Sequence, residues 1–521
     1  MSNRSSLGKL AVRAAASMDE TAAVPEPDTP FRIVLLGDFS ARAQRGVFEP
    51  GSLGKRRPLR VDRDKFNDVM AALGVDLDLP IAASGGPRVA IRVRELEDFH
   101  PDRIFEQTAV FQTLRDLRRR LSDPRTFPSA AAEVRAWKET PALEEPRTPP
   151  AEGKPPSPQG PPDVPDRLLE RMLDEAEYQV PRPAPLFDPS QWNALLAKIV
   201  GPHAVAKPDP QQPELVASVD AAAESLMRTI LHQPGFQALE AAWRGAALLA
   251  SRLEADGQLK LYLLDVSKEE LDADLAAAED LRTTATFRLL VEESVHTPGA
   301  EPWAVLAGNY AFDLTVGDAE LLRRMATIAA EAGAPFVAEA GAGLLGCESL
   351  AATPDPDDWK SVPDPNGRRA WESLRKLRES SYLGLVLPRF LLRLPYGAET
   401  SGTEQFAFEE MPGTPIHEAY LWGNPCFACV CLLGQAFARH GWQFRPGVVQ
   451  DLEDLPIHVY QTGGQSLAKP CAEVLLTDRA AEAIASRGLM ALRSFQNRGA
   501  VRLAPFQSMA DPPTRLMGRW R

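Results

Sequence analysis

The spacing of apolar residues over the first 140 positions predicts a small α/β module. The run Ile33–Leu36 in "FRIVLLGDFS" is continuously apolar, which predicts a strand buried on both faces. Helical spacing in "DKFNDVMAALG" predicts a helix that ends at Gly74. The alternating segments "VDLDLPI" and "PRVAIRV" predict two strands, and a helix is expected from about Pro101 to Ser122.

Helical and strand patterns alternate again from about residue 214 to the last residue, 521. "AAAESLMRTILHQPGFQALEAAWRGAALLASRL" predicts a helix that is interrupted near its proline, and "LKLYLLDV" predicts the strand that follows. Ser267 and Glu270 have capping-box spacing at the start of another helix. The strand "PWAVLAGNYAF", the helix "DAELLRRMATIAAEAG" and the strand "APFVAEA" come next. This order favours a layered α/β domain.

Proline separates the two modules. Between Pro141 and Pro189 there are 14 of the 47 prolines of the chain, which predicts an extended linker. "DRLLERMLDEAE", residues 166–177, interrupts it with a helical pattern. The fold class expected is therefore α/β (mixed α+β), with two layered modules joined by a proline-rich linker. We expect a flexible arm at 1–27, modules at 28–140 and 214–521, and the linker at 141–213.

Charge and composition limit the classes of function. A net charge of -13 argues against a protein that binds nucleic acid through overall basicity. The local stripe of Arg115, Arg118, Arg119 and Arg120 is interpreted as the solvated face of a helix. The sequence has neither an apolar run of 18 residues nor a secretory h-region, so no membrane association is expected. Five cysteines, an odd number, fit a reducing compartment, and we expect a cytoplasmic protein.

One glycine motif is compatible with a cofactor site. Gly341, Gly343 and Gly346 have G-x-G-x-x-G spacing after an apolar run. A dinucleotide fold also needs an acidic residue about 20 positions further on, at the end of a second strand. The sequence continues instead with the proline- and aspartate-rich segment "PDPDDWKSVPDP", so a turn is the preferred interpretation. A nucleotide-binding enzyme that uses this loop remains the alternative from another functional class.

Other motifs do not predict catalysis or metal binding. His417-Glu418 begins like a zincin helix, but position 421 is Leu, so the second ligand is missing. Cys426, Cys429 and Cys431 lie in an apolar run and are interpreted as small buried hydrophobic residues. We therefore expect no catalytic residue, no cofactor and no metal.

Several segments together resemble the two contractile-sheath proteins of type VI secretion systems. The first module resembles the small subunit (TssB, or VipA, family) in "FRIVLLGDFSAR", "RPLRVDRDKFNDVMAALGVDLDL" and "LEDFHPDRIFEQTAVFQTLRDLR". The second resembles the large subunit (TssC, or VipB, family) in "ILHQPGFQALEAAWRGAALL", "YLGLVLPRFLLRLPYG", "YLWGNPCFACVCLLGQAFARHGW" and "VLLTDRAAEAIASRGLMAL". The segments follow the order of the family over about 430 of the 521 residues.

The resemblance implies a structural part in a contractile sheath rather than an enzyme. Implied partners are other sheath subunits, the hexameric protein of the inner tube, baseplate components and an AAA+ unfoldase of the ClpV type. Two departures from the family pattern are the fusion of both subunits in one chain and a large-subunit part that ends before the usual C-terminal region. The alternative within this class is a sheath-related cap or minor assembly factor, and we expect monomers or short oligomers rather than long tubes when the protein is expressed alone.

The helix in the linker has its own implied role. Leu168, Leu169, Met172 and Leu173 lie along one face of a helix capped by Asp166. The segment resembles the short N-terminal helix of the large subunit that the unfoldase recognises. These four residues are therefore the candidate partner-binding site, and a short helix docked on the second module is the alternative.

Overall fold

The computed structural model describes residues 24–81, 88–139, 212–254, 257–360 and 364–520. The expected arm at 1–27 lies almost wholly outside these ranges, as do the linker and its helix at 166–177. The strands are β1 Phe31–Gly37, β2 Leu59–Val61, β3 Val75–Pro80, β4 Arg88–Val93, β5 Leu259–Asp265, β6 Trp303–Phe312, β7 Phe336–Ala340, β8 Leu383–Leu387, β9 Phe390–Leu391, β10 Trp422–Gly423, β11 Asp451–Leu452, β12 His458–Thr462, β13 Gln465–Lys469, β14 Met490–Phe495 and β15 Arg498–Ala504.

Helices alternate with these strands through most of the described chain. The α-helices are α1 Phe66–Leu73, α2 Pro101–Gln107, α3 Ala109–Ser122, α4 Phe127–Glu139, α5 Gln212–Leu231, α6 Pro234–Arg252, α7 Lys268–Ala276, α8 Ala285–Phe287, α9 Val316–Ala332, α10 Pro365–Arg375, α11 Cys426–His440 and α12 Asp478–Ser486. Helix α8 continues directly as a π-helix, Arg288–His296. The mixed α/β class predicted from the pattern is confirmed.

Within the described ranges, nine strands form one sheet in the order β11-β15-β14-β8-β7-β6-β1-β5-β2. The six strands from β14 to β5 run parallel, while β2, β15 and β11 pair antiparallel at the two ends. Strands β3 and β4 form a separate antiparallel hairpin. Parallel strands need helices on their faces, which explains the long apolar strands and the helices between them.

Strand β1 is a central strand of this sheet. It pairs with β5 on one side and with β6 on the other, with Ile33 opposite Leu261 and Val305. Ile33 and Leu36 are fully buried, which confirms the predicted burial on both faces. A strand from the first predicted module thus lies between two strands of the second.

The described residues form two compact units, and neither follows the boundary between the predicted modules. The larger unit takes in the described parts of Met1–Ile81, Arg88–Gln112 and Leu226–Arg521. The smaller unit takes in the described part of Thr113–Ser225. Each unit therefore contains residues of both predicted modules, because residues that are distant in the sequence pack together in space.

Several local predictions are confirmed. Helix α1 ends at Gly74, whose left-handed φ of 62° suits a residue without a Cβ. The proline break separates α5 from α6 at Pro234, where the Gln233 side chain caps the new helix. The Ser267–Glu270 capping box is present at the start of α7.

The prediction of a single helix from Pro101 to Ser122 is wrong, because two helices occupy this range. Thr108 has an extended conformation (φ -99°, ψ 126°) and separates α2 from α3. Its carbonyl oxygen accepts the amide N–H groups of Phe111 and Gln112 at 3.1 and 3.2 Å, so it begins the second helix. Threonine favours such a position over a helix interior, but no proline or glycine marks the break in the sequence.

Candidate functional site at the junction of the two sequence modules

The segment that follows β1 is held by a carboxylate at the end of β5. Asp265 Oδ1 accepts the backbone N–H groups of Phe39 at 2.8 Å and Ser40 at 3.0 Å. Its Oδ2 accepts the Ser40 hydroxyl at 2.7 Å. Because β1 and β5 are parallel, both chains leave the sheet at the same edge, and one carboxylate can bind the turn that follows the neighbouring strand.

Glu270, in the first turn of α7, is the most heavily bonded charge of this junction. Its side chain is fully buried, and its carboxylate accepts N–H donors from Arg42 at 3.0–3.1 Å and from Arg56 at 2.7 and 2.8 Å. Burial alone raises the pKa of Glu270, but Arg56, Arg42 and the amides of Glu49 and Ser267 together lower this pKa to about 2. The carboxylate is therefore ionised at neutral pH, and both arginines of the first module are tied to it.

Aromatic side chains complete the junction on the other side of the segment. The Trp243 ring of α6 meets the rings of Phe39 and Phe66 edge-on, with centroids 5.5 and 5.6 Å apart. Phe99 and Phe236 make a similar edge-to-face contact at 5.6 Å. Such pairs stabilise a contact by about 1 kcal/mol beyond the area that they bury.

A second contact region joins α2 to the loop after β9. Asp102 accepts the backbone N–H groups of Glu404 at 2.9 Å and Gln405 at 3.0 Å. The ring of Phe105 stacks on Phe406 with centroids 4.5 Å apart. These contacts place the same loop against the first module through both polar and apolar groups.

The start of that loop is fixed by a buried ion cluster. Arg393, with 8% of its side chain exposed, donates to Glu240 of α6 at 2.7 Å and to Glu410 at 2.7 Å. Burial raises the pKa of Glu410, but Arg393, His232 and the amide of Tyr396 lower this pKa to about 2. A cluster that is paired on every side holds the loop in one position and provides no free acid or base.

The glycine motif forms a turn and does not begin an α-helix, as a dinucleotide-binding loop would. Residues Ala342–Leu345 make one turn of 3₁₀-helix, and Gly346 closes it with a φ of 83°. A Cβ at Gly341 or Gly343 would overlap the carboxylate of Asp313. Because a carboxylate already occupies the space that these glycines leave, the loop is not suited to a phosphate, and the nucleotide-binding alternative is not favoured.

The cysteine motif lies in the interior. Cys426, Cys429 and Cys431 belong to α11 and are fully buried, and no cysteine of the described chain forms a disulfide. Burial raises the pKa of each of these thiols, that of Cys431 to about 12. They pack as small apolar residues, which confirms the interpretation from the sequence.

The remaining candidate residues also have structural surroundings. His417 and Glu418 lie in a single turn of 3₁₀-helix, and no group of three or more potential ligands in the described ranges could hold a metal ion. The arginine stripe of α3 is largely exposed, and Arg118 pairs with Asp220 at 2.6 Å. It is a solvated helix face, as interpreted from the sequence. Leu168, Leu169, Met172 and Leu173 lie outside the described residues. None of the described helices is long and apolar enough to cross a membrane.

Sequence reasoning missed the residues that join the modules. Arg42, Arg56 and Asp102 carry no motif, and their partners lie more than 200 positions away. The capping box did indicate that Glu270 is committed to a helix start, but two further arginines share its carboxylate. Only the three-dimensional pairing identifies such contacts.

Comparison with known proteins covers both modules. Residues 213–510 match the VipB model, described as EvpB/VC_A0108, tail sheath N-terminal domain. Residues 16–135 match the T6SS_VipA model, described as type VI secretion system, VipA, VC_A0107 or Hcp2. The type VI secretion system sheath protein TssC1 of Pseudomonas aeruginosa is 34% identical over 305 residues, which are 57% of this chain and 61% of that protein. The chain thus spans about three fifths of the length of the curated relative that it matches.

Proposed function

The chain belongs to the VipB family of type VI secretion tail sheath proteins, and on that premise we propose that it is a structural component of the contractile sheath. In this proposal a small-subunit-like part at 28–140 and a large-subunit-like part at 214–521 act together within one polypeptide. The linker at 141–213 connects them, and the arm at 1–27 precedes them. The protein works in the cytoplasm, by mechanical means, and not as an enzyme.

The observation that supports this proposal best is the position of β1 between β5 and β6. A strand paired on both sides cannot leave without breaking two parallel ladders, so β1 stays joined to β5 and β6. The ion pairs of Glu270 with Arg42 and Arg56 hold the segment after β1 against the start of α7. A sheath that transmits force needs subunits that do not separate under load.

The proposed partners follow from the same function. They are other sheath subunits, the hexameric protein of the inner tube and the baseplate. We also propose that an AAA+ unfoldase of the ClpV type recognises the linker helix through Leu168, Leu169, Met172 and Leu173. The apolar stripe predicted from the sequence of residues 166–177 supports this proposal, since helices bind in grooves through such stripes.

Recovery of the chain with assembled sheaths tests the proposal. Sheaths are purified from cells that express the tagged full-length chain with the sheath genes of its host, and the pellet is probed for the tag. We expect the chain in the sheath fraction, and less of it for Arg56→Ala, which disturbs the junction. Arg57→Ala is the matched control, because Arg57 is 61% exposed and pairs with Glu293 at the surface. Intact sheaths that exclude the unmodified chain would disprove the proposal.

A further inference from the structure

A cleft of about 540 Å³ opens beside the carboxyl ends of two parallel strands, β7 and β8. Glu339, near the end of β7, and Arg389, shortly after β8, line it. In parallel sheets with helices on both faces, ligands bind in the crevice outside the carboxyl ends of the strands. The cleft has the size of a ligand site and lies at the carboxyl ends of the strands, and the junction described above does not include it.

The chemistry of the lining is mainly acidic with an aromatic wall. Four carboxylates contribute to it, against one arginine and one histidine, and the ammonium group of Lys469 lies over the two large rings that form part of the surface. These residues are Glu339, Glu348, Glu418, Glu473, Arg389, His417, Tyr420 and Trp422. The excess of negative charge favours a cation over an anion such as a phosphate.

Glu339 lacks a hydrogen-bond donor. Its side chain is only 17% exposed, and the nearest cation, Arg389 Nε, lies 3.9 Å from its Oε1, too far for a hydrogen bond. Arg389 is committed to Glu473, which it contacts through Nη2 at 2.6 Å and through its backbone N–H at 3.0 Å. Among the described residues none donates to Glu339. A largely buried carboxylate without a donor is costly, and a ligand that supplies donors removes this cost.

Two further carboxylates, on the exposed part of the lining, also favour a cation. Glu348 and Glu418 are both exposed to solvent and line the cleft together with Glu339. Glu473 is not available, because Arg389 and, at 3.5 Å, His417 surround it. A ligand thus meets one carboxylate without a hydrogen-bond donor inside the cleft and two more in its solvent-exposed lining.

We propose that this cleft binds a guanidinium group, whose N–H donors Glu339 accepts while Glu348 and Glu418 attract it electrostatically. A guanidinium presents two parallel donors to a carboxylate, which fits the two oxygens of the Glu339 side chain. The group can come from an arginine side chain of a protein segment or from a free small cation. This inference does not rest on the role of the chain in a sheath.

The protonation state of Glu339 makes the binding depend on pH. Burial raises the pKa of Glu339 to about 7, with Arg389 opposing and Glu473 adding to the shift. The other titratable groups that face it are Cys426 of α11, which stays a neutral thiol, and the cleft residues Glu348, Glu418 and His417. The guanidinium site is therefore strongest above pH 7, where Glu339 is ionised.

The test uses the full chain and two probes of the same shape, one charged and one neutral. N-acetyl-arginine methylamide is titrated at pH 8 and pH 6 while the melting temperature is followed, and N-acetyl-citrulline methylamide serves as the uncharged control. We expect a saturable rise with the arginine probe at pH 8, a half-saturating concentration several-fold higher at pH 6, and no rise with citrulline. Equal responses to both probes would overturn the proposal.

Substitutions locate the site. Glu339→Gln should raise the half-saturating concentration at least tenfold, whereas Glu331→Gln, at an exposed position of α9, should leave it unchanged. If Glu339→Gln does not fold, Glu418→Gln on the exposed lining replaces it, with an expected several-fold increase. An unchanged titration in a folded variant of either kind would overturn the proposal.

A peptide separates the two sources of the guanidinium. The blocked pentapeptide Gly-Gly-Arg-Gly-Gly is titrated beside the single capped residue. Saturation at an equal or lower concentration assigns the site to an arginine side chain of a protein segment. Saturation by the capped residue alone assigns it to a small free cation. Both results support guanidinium binding, and no saturation by either probe refutes it.

Discussion

The indole N–H of Trp243 donates to the backbone carbonyl oxygen of Phe39 at 2.8 Å, across 204 positions of the chain. The bond is buried, and the two rings also touch. Trp243 and Asp265 thereby both bind the turn after β1. The turn after β1 is thus held by the second module through a side-chain donor and a side-chain acceptor.

The paired arginines of the junction give a stability prediction with an internal control. Arg56→Ala removes one of the two cations that bind the buried carboxylate of Glu270, so we expect a loss of about 3 kcal/mol in the free energy of unfolding. Arg57→Ala, one position further, should cost less than about 0.5 kcal/mol, because its partner is at the surface. Urea denaturation of both variants measures the difference. Equal losses would contradict the ranking.

The central position of β1 predicts that the two modules depend on each other. Residues 1–140 and 190–521, expressed separately and mixed, should associate and raise each other's melting temperature. The amides of Ile33 to Leu36 should exchange slowly with solvent only in the mixture, because both edges of β1 are then paired. Hydrogen exchange of the separate and mixed fragments is the measurement, and fast exchange in the intact chain would refute the pairing.

The carboxyl group of Glu339 predicts an inverse dependence of stability on pH. Its pKa is raised to about 7 in the folded protein, from 4.5, so the folded state holds an extra proton between these values. Its contribution is fully present below pH 4.5 and is lost as the pH rises to 7, by at most about 3 kcal/mol. Compared with Glu339→Gln, the unmodified chain should lose stability over this interval. Parallel profiles of the two proteins would show that Glu339 ionises normally.

The buried thiols of α11 should react with a thiol reagent in the denatured chain but not in the folded chain. Burial raises the pKa of Cys426, Cys429 and Cys431, so a thiol reagent at pH 8 should leave them unmodified in the folded chain. All five cysteines should react after denaturation in urea. Mass spectrometry of the labelled protein counts the modified sites, and rapid labelling of α11 under native conditions would contradict its packing.

The linker helix gives the last prediction. Leu169→Asp together with Met172→Asp should abolish binding to the N-terminal domain of the unfoldase, because both changes place a charge in the apolar stripe. Arg171→Ala, which lies outside the apolar stripe in the helical pattern predicted from the sequence, is the control and should bind normally. A pull-down with circular dichroism of each variant decides. Binding by the double variant would place recognition elsewhere in the chain.

The pattern of apolar residues predicted most elements but not their neighbours. The run Ile33–Leu36 indicates burial on both faces of a strand, yet it says nothing of which strands pair with it, because any apolar parallel strand has the same pattern. The interruption at Thr108 was missed since the apolar spacing continues through it. The contacts of Glu270 and Glu339 were missed for a related reason: ion pairs and carboxylates without a hydrogen-bond donor depend on residues that are far away in sequence.

The place of β1 in the sheet has a consequence for how the protein is made. β1 is complete after residue 37, but its two neighbours are complete only after residues 265 and 312. At a synthesis rate of roughly 5–20 residues per second, an apolar strand leaves the ribosome about 14–55 seconds before its last partner. Both edges of β1 lack a partner until residue 265 is made, and one edge lacks it until residue 312, which makes the nascent strand a substrate for chaperones and a risk for aggregation. Slower translation between residues 37 and 312 should therefore reduce the yield of folded protein.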